Sequence, residues 1–163
     1  MSLPMAQPSA QPVQARVTHE NGTQLRMQCF VTIRDGQGRV ATVRVQGIDG
    51  WCLPGESMFV NESPDQAAVR VARMWFVSPL GLQLDRILSF PATGPEDDRW
   101  YLLFIYHAVV APRHDLSSAA ASDADAPADL KGTPDTLELV FRGKDDAPPQ
   151  WAMSHKDVWD SLW

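Results

Sequence analysis

The sequence lacks several features that mark whole classes of protein. No uninterrupted apolar run approaches the ~20 residues that a membrane-spanning helix needs, and the N-terminus lacks the basic-then-apolar order of a secretory signal. The only two cysteines, Cys29 and Cys52, fit neither a CxxC zinc motif nor a disulfide framework. These absences predict a soluble, cytoplasmic protein with two reduced thiols.

Common catalytic motifs are missing as well. The sequence contains no recognisable Ser-His-Asp arrangement, Gly-rich phosphate loop or dinucleotide-binding fingerprint. Fourteen basic against twenty acidic side chains give a formal charge of -6, which repels a nucleic-acid backbone and an anionic membrane surface. We therefore expect that the protein binds neither polynucleotides nor membranes.

What is present suits one folded domain, because 163 residues can bury a substantial core. Residues 1–14 are rich in Pro, Gln, Ser and Ala and predict a disordered tail, whose first three residues look like an expression-vector leader. The sequence predicts a single domain over residues 15–163. A flexible, acidic, low-complexity insertion is expected at about 112–135.

Apolar patterning predicts the strands. The run at 100–110 is almost continuously apolar and aromatic, so we expect it to be the central strand, buried on both faces. A hairpin turn at 35–38 is expected to join the first two strands in a meander. The predicted strands are residues 27–33, 40–45, 82–90, 100–110 and 136–141.

Two helices are expected. Ser63 before Pro64 places an N-cap ahead of proline at the first helical position, which predicts a helix from about Pro64 to Phe76. Ser154 is expected to cap a terminal helix. The order of strands, loop, helix, strands and final helix predicts an α+β or α/β sandwich with a mixed sheet.

The segment at residues 51–77 carries a recognisable pattern. It resembles the Nudix box of the Nudix hydrolase (MutT-like) family, GX5EX7REUXEEXGU with U an aliphatic residue, which usually follows a Trp-x-Leu-Pro-Gly-Gly turn. Five residues separate Glu56, at the second glycine of that turn, from Glu62, and seven more separate Glu62 from Arg70. The matching structural positions are Leu53, Pro54, Gly55, Glu62 and Arg70.

The resemblance implies a Nudix-like α/β/α sandwich and a pyrophosphohydrolase that uses magnesium or manganese. In the family pattern the metal is held by glutamates at i, i+3 and i+4, which lie on one helix face. In this chain those positions are Val71, Met74 and Trp75. None of them can hold magnesium, so the box is degenerate, no cofactor is expected, and hydrolysis should be absent or very weak. The protein would then act by binding a nucleotide-like ligand or a protein partner.

The replaced face is apolar, and two explanations of what covers it are open. Val71, Met74 and Trp75 could be covered within the chain, by the long loop or a shift of the neighbouring strands, or they could form a homodimer contact. Val69, Ala72 and Phe76 form a second apolar stripe that should pack under the sheet. We expect Glu62 and Arg70 to form a salt bridge that braces the loop against the helix.

The alternative function is an active magnesium- or manganese-dependent hydrolase of a nucleoside diphosphate derivative. Its metal ligands would come from outside the box helix, as some Nudix members place a catalytic carboxylate elsewhere. Solvated acidic side chains are the competing explanation. The candidate ligands are Glu56, Glu62, Glu96, Asp97, Asp98 and Glu138.

Five further residues are candidates for ligand contact. Arg44 and Arg99 could meet a phosphate, Trp51 or Trp100 could stack on a base, and His107 could act as a base. For each of them, a surface ion pair or packing in the core is the competing interpretation.

Overall fold

The computed structural model describes residues 13–18, 22–75, 81–92, 99–109 and 132–163. Within these ranges the chain forms seven strands and two helices. In chain order they are β1 Arg16–Thr18, β2 Gln24–Thr32, β3 Val40–Val45, β4 Gly55–Ser57, α1 Pro64–Trp75, β5 Gly81–Pro91, β6 Arg99–Val109, β7 Thr136–Arg142 and α2 His155–Ser161.

Five of the strands form one mixed sheet. Its order is β1-β2-β6-β5, and β4 pairs with β2. β2 and β6 run parallel from Gln24 opposite Arg99 to Thr32 opposite His107, while β5 is antiparallel to β6. The apolar run predicted as the central strand therefore lies between two neighbours, as expected.

A helix covers each face of this sheet. α1 packs on the face that carries Cys29, Val31 and Tyr106, and α2 packs on the face that carries Phe30 and Leu103. Alternate residues of β2 and β6 point to opposite faces, so both layers of the core draw on the same two strands. This arrangement is the predicted α/β/α sandwich with a mixed central sheet.

The predicted meander of the first two strands is confirmed only beside its turn, where Arg34 and Val40 form an antiparallel bridge. The Gly38 and Asp35 backbone N–H groups donate to the carbonyls of Asp35 and Arg39, each at 3.0 Å. Beyond the turn β3 leaves β2 and pairs antiparallel with β7 in a two-stranded sheet. The reason is that β6 occupies one edge of β2, while β1 and β4 occupy the other.

The two predicted caps differ in outcome. At α1 the Ser63 hydroxyl accepts the Gln66 N–H at 3.2 Å and the Gln66 side-chain oxygen accepts the Ser63 N–H at 2.9 Å, a reciprocal capping box. Ser154 precedes α2, but its side chain makes no capping hydrogen bond. The cap predicted for Ser154 is therefore wrong.

The buried face of α1 differs from the predicted stripe. Val69 is 38% exposed, so its predicted position under the sheet is wrong, and Phe76 lies outside the described residues. Val71 and Trp75 are 0% and 4% exposed, because their own chain covers them with core residues that include Cys29 and Val43. A homodimer could not use Val71 and Trp75 as contacts without opening the core.

The predicted boundaries of the domain are only partly within the described residues. Residues 1–12 and 112–131 lie outside them. Val13 and Gln14, placed by the sequence in the tail, already pair with the loop before α1, since the Val60 N–H donates to the Val13 carbonyl at 2.7 Å and Gln14 bridges Phe59. At the other boundary, the Asp135 carbonyl accepts a hydrogen bond from the Gln46 N–H at 2.9 Å.

The two cysteines are buried free thiols. Burial raises the pKa of Cys29 to about 12 and also raises the pKa of Cys52, so both remain protonated at neutral pH. Among the described helices, none is long and apolar enough to cross a membrane.

Replacing Trp75 with glutamate tests the burial of this helix face. Trp75→Glu places an unpaired carboxylate in the core and should lower the free energy of unfolding by several kcal/mol. Val69→Glu adds the same side chain to the exposed side of the same helix and should change it by no more than ~0.5 kcal/mol. Urea unfolding followed by circular dichroism measures both, and equal stability of the two variants would show that Trp75 faces water.

Candidate functional site

A cavity of about 340 Å³ opens where the end of α1 meets the strands of both sheets. Its position follows from the box, because the Leu53 to Ser57 segment forms one wall and the end of α1 forms another. The turn before β7 and the loop before α2 complete it. The side chains that define its chemistry are Phe30, Val43, Val45, Ile48, Glu56, Met74, Trp75, Asp135, Met153 and His155.

The turn before the box is fixed by close packing. A Cβ at Gly55 would lie 2.5 Å from Phe30 Cδ1, so a residue larger than glycine would displace the phenyl ring. The Pro54 carbonyl accepts the Val31 N–H at 2.9 Å, which ties the turn to β2. The Leu53 N–H donates to His155 Nδ1 at 2.9 Å, which ties the same turn to α2.

His155 is a structural residue of the site that sequence reasoning missed. It is buried, lies edge-on to Phe30 with 5.1 Å between ring centroids, and accepts its hydrogen bond through Nδ1. Burial lowers the pKa of His155 from 6.5 to about 4, so the neutral ring carries its proton on Nε2. Its partner Leu53 is 102 residues away, and no local pattern reports so distant a contact.

Glu62 and Arg70 form the salt bridge expected from the sequence. Arg70 donates from Nε to Glu62 Oε1 at 2.7 Å and from Nη2 to Glu62 Oε2 at 3.0 Å. Arg70 Nη2 also donates to the Ser57 carbonyl at 2.9 Å, and its guanidinium lies 3.9 Å from the centroid of the Phe59 ring. The pair therefore joins the loop after β4 to the middle of α1.

Glu62 and Arg70 each stabilise the charged form of the other. The hydrogen bonds from Arg70 hold the pKa of Glu62 below its usual value, and a hydrogen bond from the Phe59 N–H acts in the same direction. Glu62 in turn raises the pKa of Arg70. Both Glu62 oxygens are thus occupied, and Glu62 lines an open groove on the outer side of α1 with Asp65 and Arg73.

Glu56 lies in the cavity, so the structure does not bring the two box glutamates into one site. Although Glu56 is exposed, the protein around its carboxyl removes part of its hydration and raises its pKa, while the positive charge of Arg70 opposes this shift. The second carboxylate of the cavity is Asp135. Sequence reasoning missed Asp135 because it falls in the segment predicted as a flexible insertion.

The described side chains around the end of α1 do not fit a magnesium or manganese ion. Met74 and Trp75 line the cavity and Val71 is buried beneath, whereas hard divalent cations require oxygen ligands. Across the part of the chain that the structure describes, no group of three or more His, Cys, Asp or Glu residues is placed to hold a metal ion. Glu96, Asp97 and Asp98 lie outside the described residues.

The phosphate candidate Arg44 and the carboxylate candidate Glu138 face each other instead of a ligand. They are opposite residues of β3 and β7, with 3.7 Å between Arg44 Nη1 and Glu138 Oε2. Val43 and Val45 line the cavity, so the intervening Arg44 points to the other side of the strand. This pair forms a surface ion pair outside the cavity.

The aromatic candidates are also outside the cavity. Trp51 is buried, and the Arg142 guanidinium lies 4.5 Å from the centroid of its ring, so a base could stack there only by displacing Arg142. Arg99 and Trp100 begin β6, and neither lines the cavity; Trp100 is 42% exposed.

His107 lies at a different polar cleft. It is grouped there with Thr32, Arg34 and Asp85, away from the box. Burial lowers the pKa of His107, Arg34 lowers it further, and Asp85 opposes both. His107 is therefore separated from Glu56, and the two do not form one catalytic arrangement.

No protein-family model and no curated protein sequence matches the chain. Solved structures do match. A MutT Nudix hydrolase from Burkholderia pseudomallei is similar with a TM-score of 0.58 and 17% identity, over 86% of this chain and 99% of that one. RenU, a Nudix hydrolase from M. smegmatis, has a TM-score of 0.55 and 19% identity, over 91% of each chain.

A third similar structure contains a ligand. The Nudix domain of NrtR from Shewanella oneidensis, co-crystallised with ADP-ribose, has a TM-score of 0.52 and 15% identity, over 85% of this chain and 84% of that one. At these identities the likeness establishes the fold alone. This chain has the Nudix fold.

The pKa of His155 predicts how stability depends on pH. Because the folded-state pKa, about 4, lies below the ordinary value of 6.5, the unfolded chain takes up the proton first, and stability falls as pH falls through this window. We expect a loss of about 2 kcal/mol between pH 7 and pH 5. His107, whose pKa is also lowered, contributes in the same direction.

Urea unfolding at pH 7 and pH 5 measures this loss in the unmodified protein and in two variants. His155→Gln keeps an oxygen that can accept the Leu53 N–H, so it should fold while removing most of the pH dependence. His107→Gln is the matched control and should remove less of it. An unchanged pH dependence in His155→Gln would contradict the assignment.

Proposed function

We propose that this Nudix-fold protein binds a nucleotide-like small molecule in the cavity beside Glu56 and Trp75, with metal-dependent pyrophosphohydrolase activity absent or very weak. One observation carries the proposal. The turn and the Glu62–Arg70 brace of the box are intact, while Val71, Met74 and Trp75 stand at the three helix-glutamate positions, with Val71 and Trp75 buried.

The chemistry of diphosphate cleavage explains why these replacements matter. Hydrolysis requires neutralising charge on the phosphoryl oxygens and activating a water molecule, and a divalent metal ion supplies both. A thioether, an indole and an isopropyl group cannot replace carboxylates as magnesium ligands. The carboxylates of the described cavity lining are those of Glu56 and Asp135.

Several features of the cavity support ligand binding. Its volume of about 340 Å³ lies at the lower end of the roughly 300–1,000 Å³ that small-molecule sites occupy. It combines apolar walls with a few polar groups, which is the usual composition of such a site. ADP-ribose bound to the similar Nudix domain of NrtR supports a nucleotide-like compound as the ligand class. A concave site of this kind also favours a small molecule over a protein partner.

The alternative is an active magnesium- or manganese-dependent hydrolase that uses Glu56, Glu62 and the acidic loop at 96–98. The position of Glu62 argues against it, because both of its oxygens already accept hydrogen bonds from Arg70 and Phe59. Glu56 and Glu62 also line different depressions on the two sides of α1.

Turnover separates the two functions. The protein would be incubated with magnesium or manganese and a panel of nucleoside triphosphates, nucleotide sugars, dinucleoside polyphosphates and ADP-ribose, while phosphate and mononucleotide release are measured. We expect no turnover above the blank. Robust turnover that Glu62→Gln abolishes would establish the alternative and overturn the proposal.

Binding is measured by isothermal titration calorimetry in EDTA with adenosine, AMP and ADP-ribose as probes. We expect at least one of them to bind. Met153→Asn removes an apolar side chain of the cavity at a left-handed position (φ 44°) that asparagine tolerates. It should weaken that binding about fivefold, on the order of 1 kcal/mol of lost apolar contact.

Leu137→Asn is the matched control, because Leu137 is 64% exposed and lies outside the cavity. It should leave the affinity unchanged. Equal weakening by the two variants would place the ligand elsewhere on the protein.

A further inference from the structure

The described charged side chains that line the proposed ligand site are both negative. Glu56 on β4 and Asp135 in the turn before β7 line the cavity, and both side chains are exposed. Among the described residues that line it, none is a lysine or an arginine. A ligand that enters this cavity therefore meets two negative charges and apolar side chains.

The nearby arginines are directed elsewhere. Arg70 acts on Glu56 through its charge, but its guanidinium donates its hydrogen bonds to Glu62 and the Ser57 carbonyl. Arg44 pairs with Glu138 on the other side of β3. Neither guanidinium lines the cavity, so neither offers a phosphate the forked donor set that arginine usually presents.

These carboxylates repel the phosphates of a nucleotide but can bind its nucleoside part. A carboxylate accepts hydrogen bonds from ribose hydroxyls and from the amino groups of a base. The partly exposed apolar side chains of Val45, Ile48 and Met74 supply a surface on which a base can pack. A phosphate placed among the same groups would lie close to Glu56 or Asp135 with no opposing charge from the described lining.

We infer that the cavity recognises the uncharged nucleoside part of its ligand and discriminates against phosphate, so that it binds a nucleoside more tightly than the corresponding nucleotide. This inference rests on the proposed function, because it assigns the chemistry of the ligand to the same site. This preference is the reverse of that of a site that binds a nucleotide mainly through its phosphates.

The test compares adenosine, AMP and ADP-ribose by calorimetry in EDTA at low and at moderate salt. Adenosine should bind at least about tenfold more tightly than ADP-ribose at low salt. The ratio of the two Kd values should fall as the salt concentration rises. Salt screens the repulsion between ADP-ribose and the carboxylates, whereas it has little effect on binding of the neutral nucleoside. The melting temperature of each variant used in these titrations confirms that the variant is folded.

Charge-neutralising variants locate the effect. Glu56→Gln and Asp135→Asn should each strengthen ADP-ribose binding. Each should therefore reduce the ratio of the ADP-ribose Kd to the adenosine Kd about threefold or more. Glu138→Gln is the matched control, since it changes the net charge equally but lies outside the cavity. Glu138→Gln should leave the ratio of the ADP-ribose Kd to the adenosine Kd unchanged.

Three results would overturn the inference, and only the third would also overturn the proposed function. AMP or ADP-ribose binding as tightly as adenosine overturns the inference and leaves the proposed function standing. Magnesium that strengthens ADP-ribose binding, with the gain lost in Glu56→Gln, would show that a metal ion bridges phosphate and carboxylate. Binding of none of the three probes would overturn both.

Discussion

The burial of Val71 and Trp75 fixes α1 against the sheet. Their side chains belong to the core cluster that joins α1 to β2 and β3, and they are 0% and 4% exposed. Carboxylates at the same positions would need hydration or a metal ion, since an unpaired buried charge costs several kcal/mol. The face of α1 that carries Val71 and Trp75 therefore serves the stability of the fold.

The segment that resembles the Nudix box has its backbone fixed by contacts within the chain. Three contacts fix this backbone: the packing of the Gly55 turn against Phe30, the Leu53 hydrogen bond to His155 and the Glu62–Arg70 salt bridge. None of them depends on a bound ion. The cavity beside the box is therefore held open by contacts within the chain.

Local signals predicted much of the fold. The capping box at Ser63, the apolar run at 100–110 and the spacing from Glu62 to Arg70 each act within one segment, and the structure shows the corresponding helix, central strand and salt bridge. Features that depend on distant contacts were missed. The partner of β3 is decided by competition for the edges of β2, and Asp135 and His155 reach the cavity from positions far beyond the end of the box at Val77.

We propose that this Nudix fold has no functional divalent metal site at its box. Titrating the protein with Mn²⁺ and following the free ion by electron paramagnetic resonance tests it most directly, because manganese accepts the same oxygen ligands as magnesium. We expect only weak Mn²⁺ binding, which Glu56→Gln leaves unchanged. Stoichiometric binding at micromolar Mn²⁺ that Glu56→Gln or Glu62→Gln removes would contradict it.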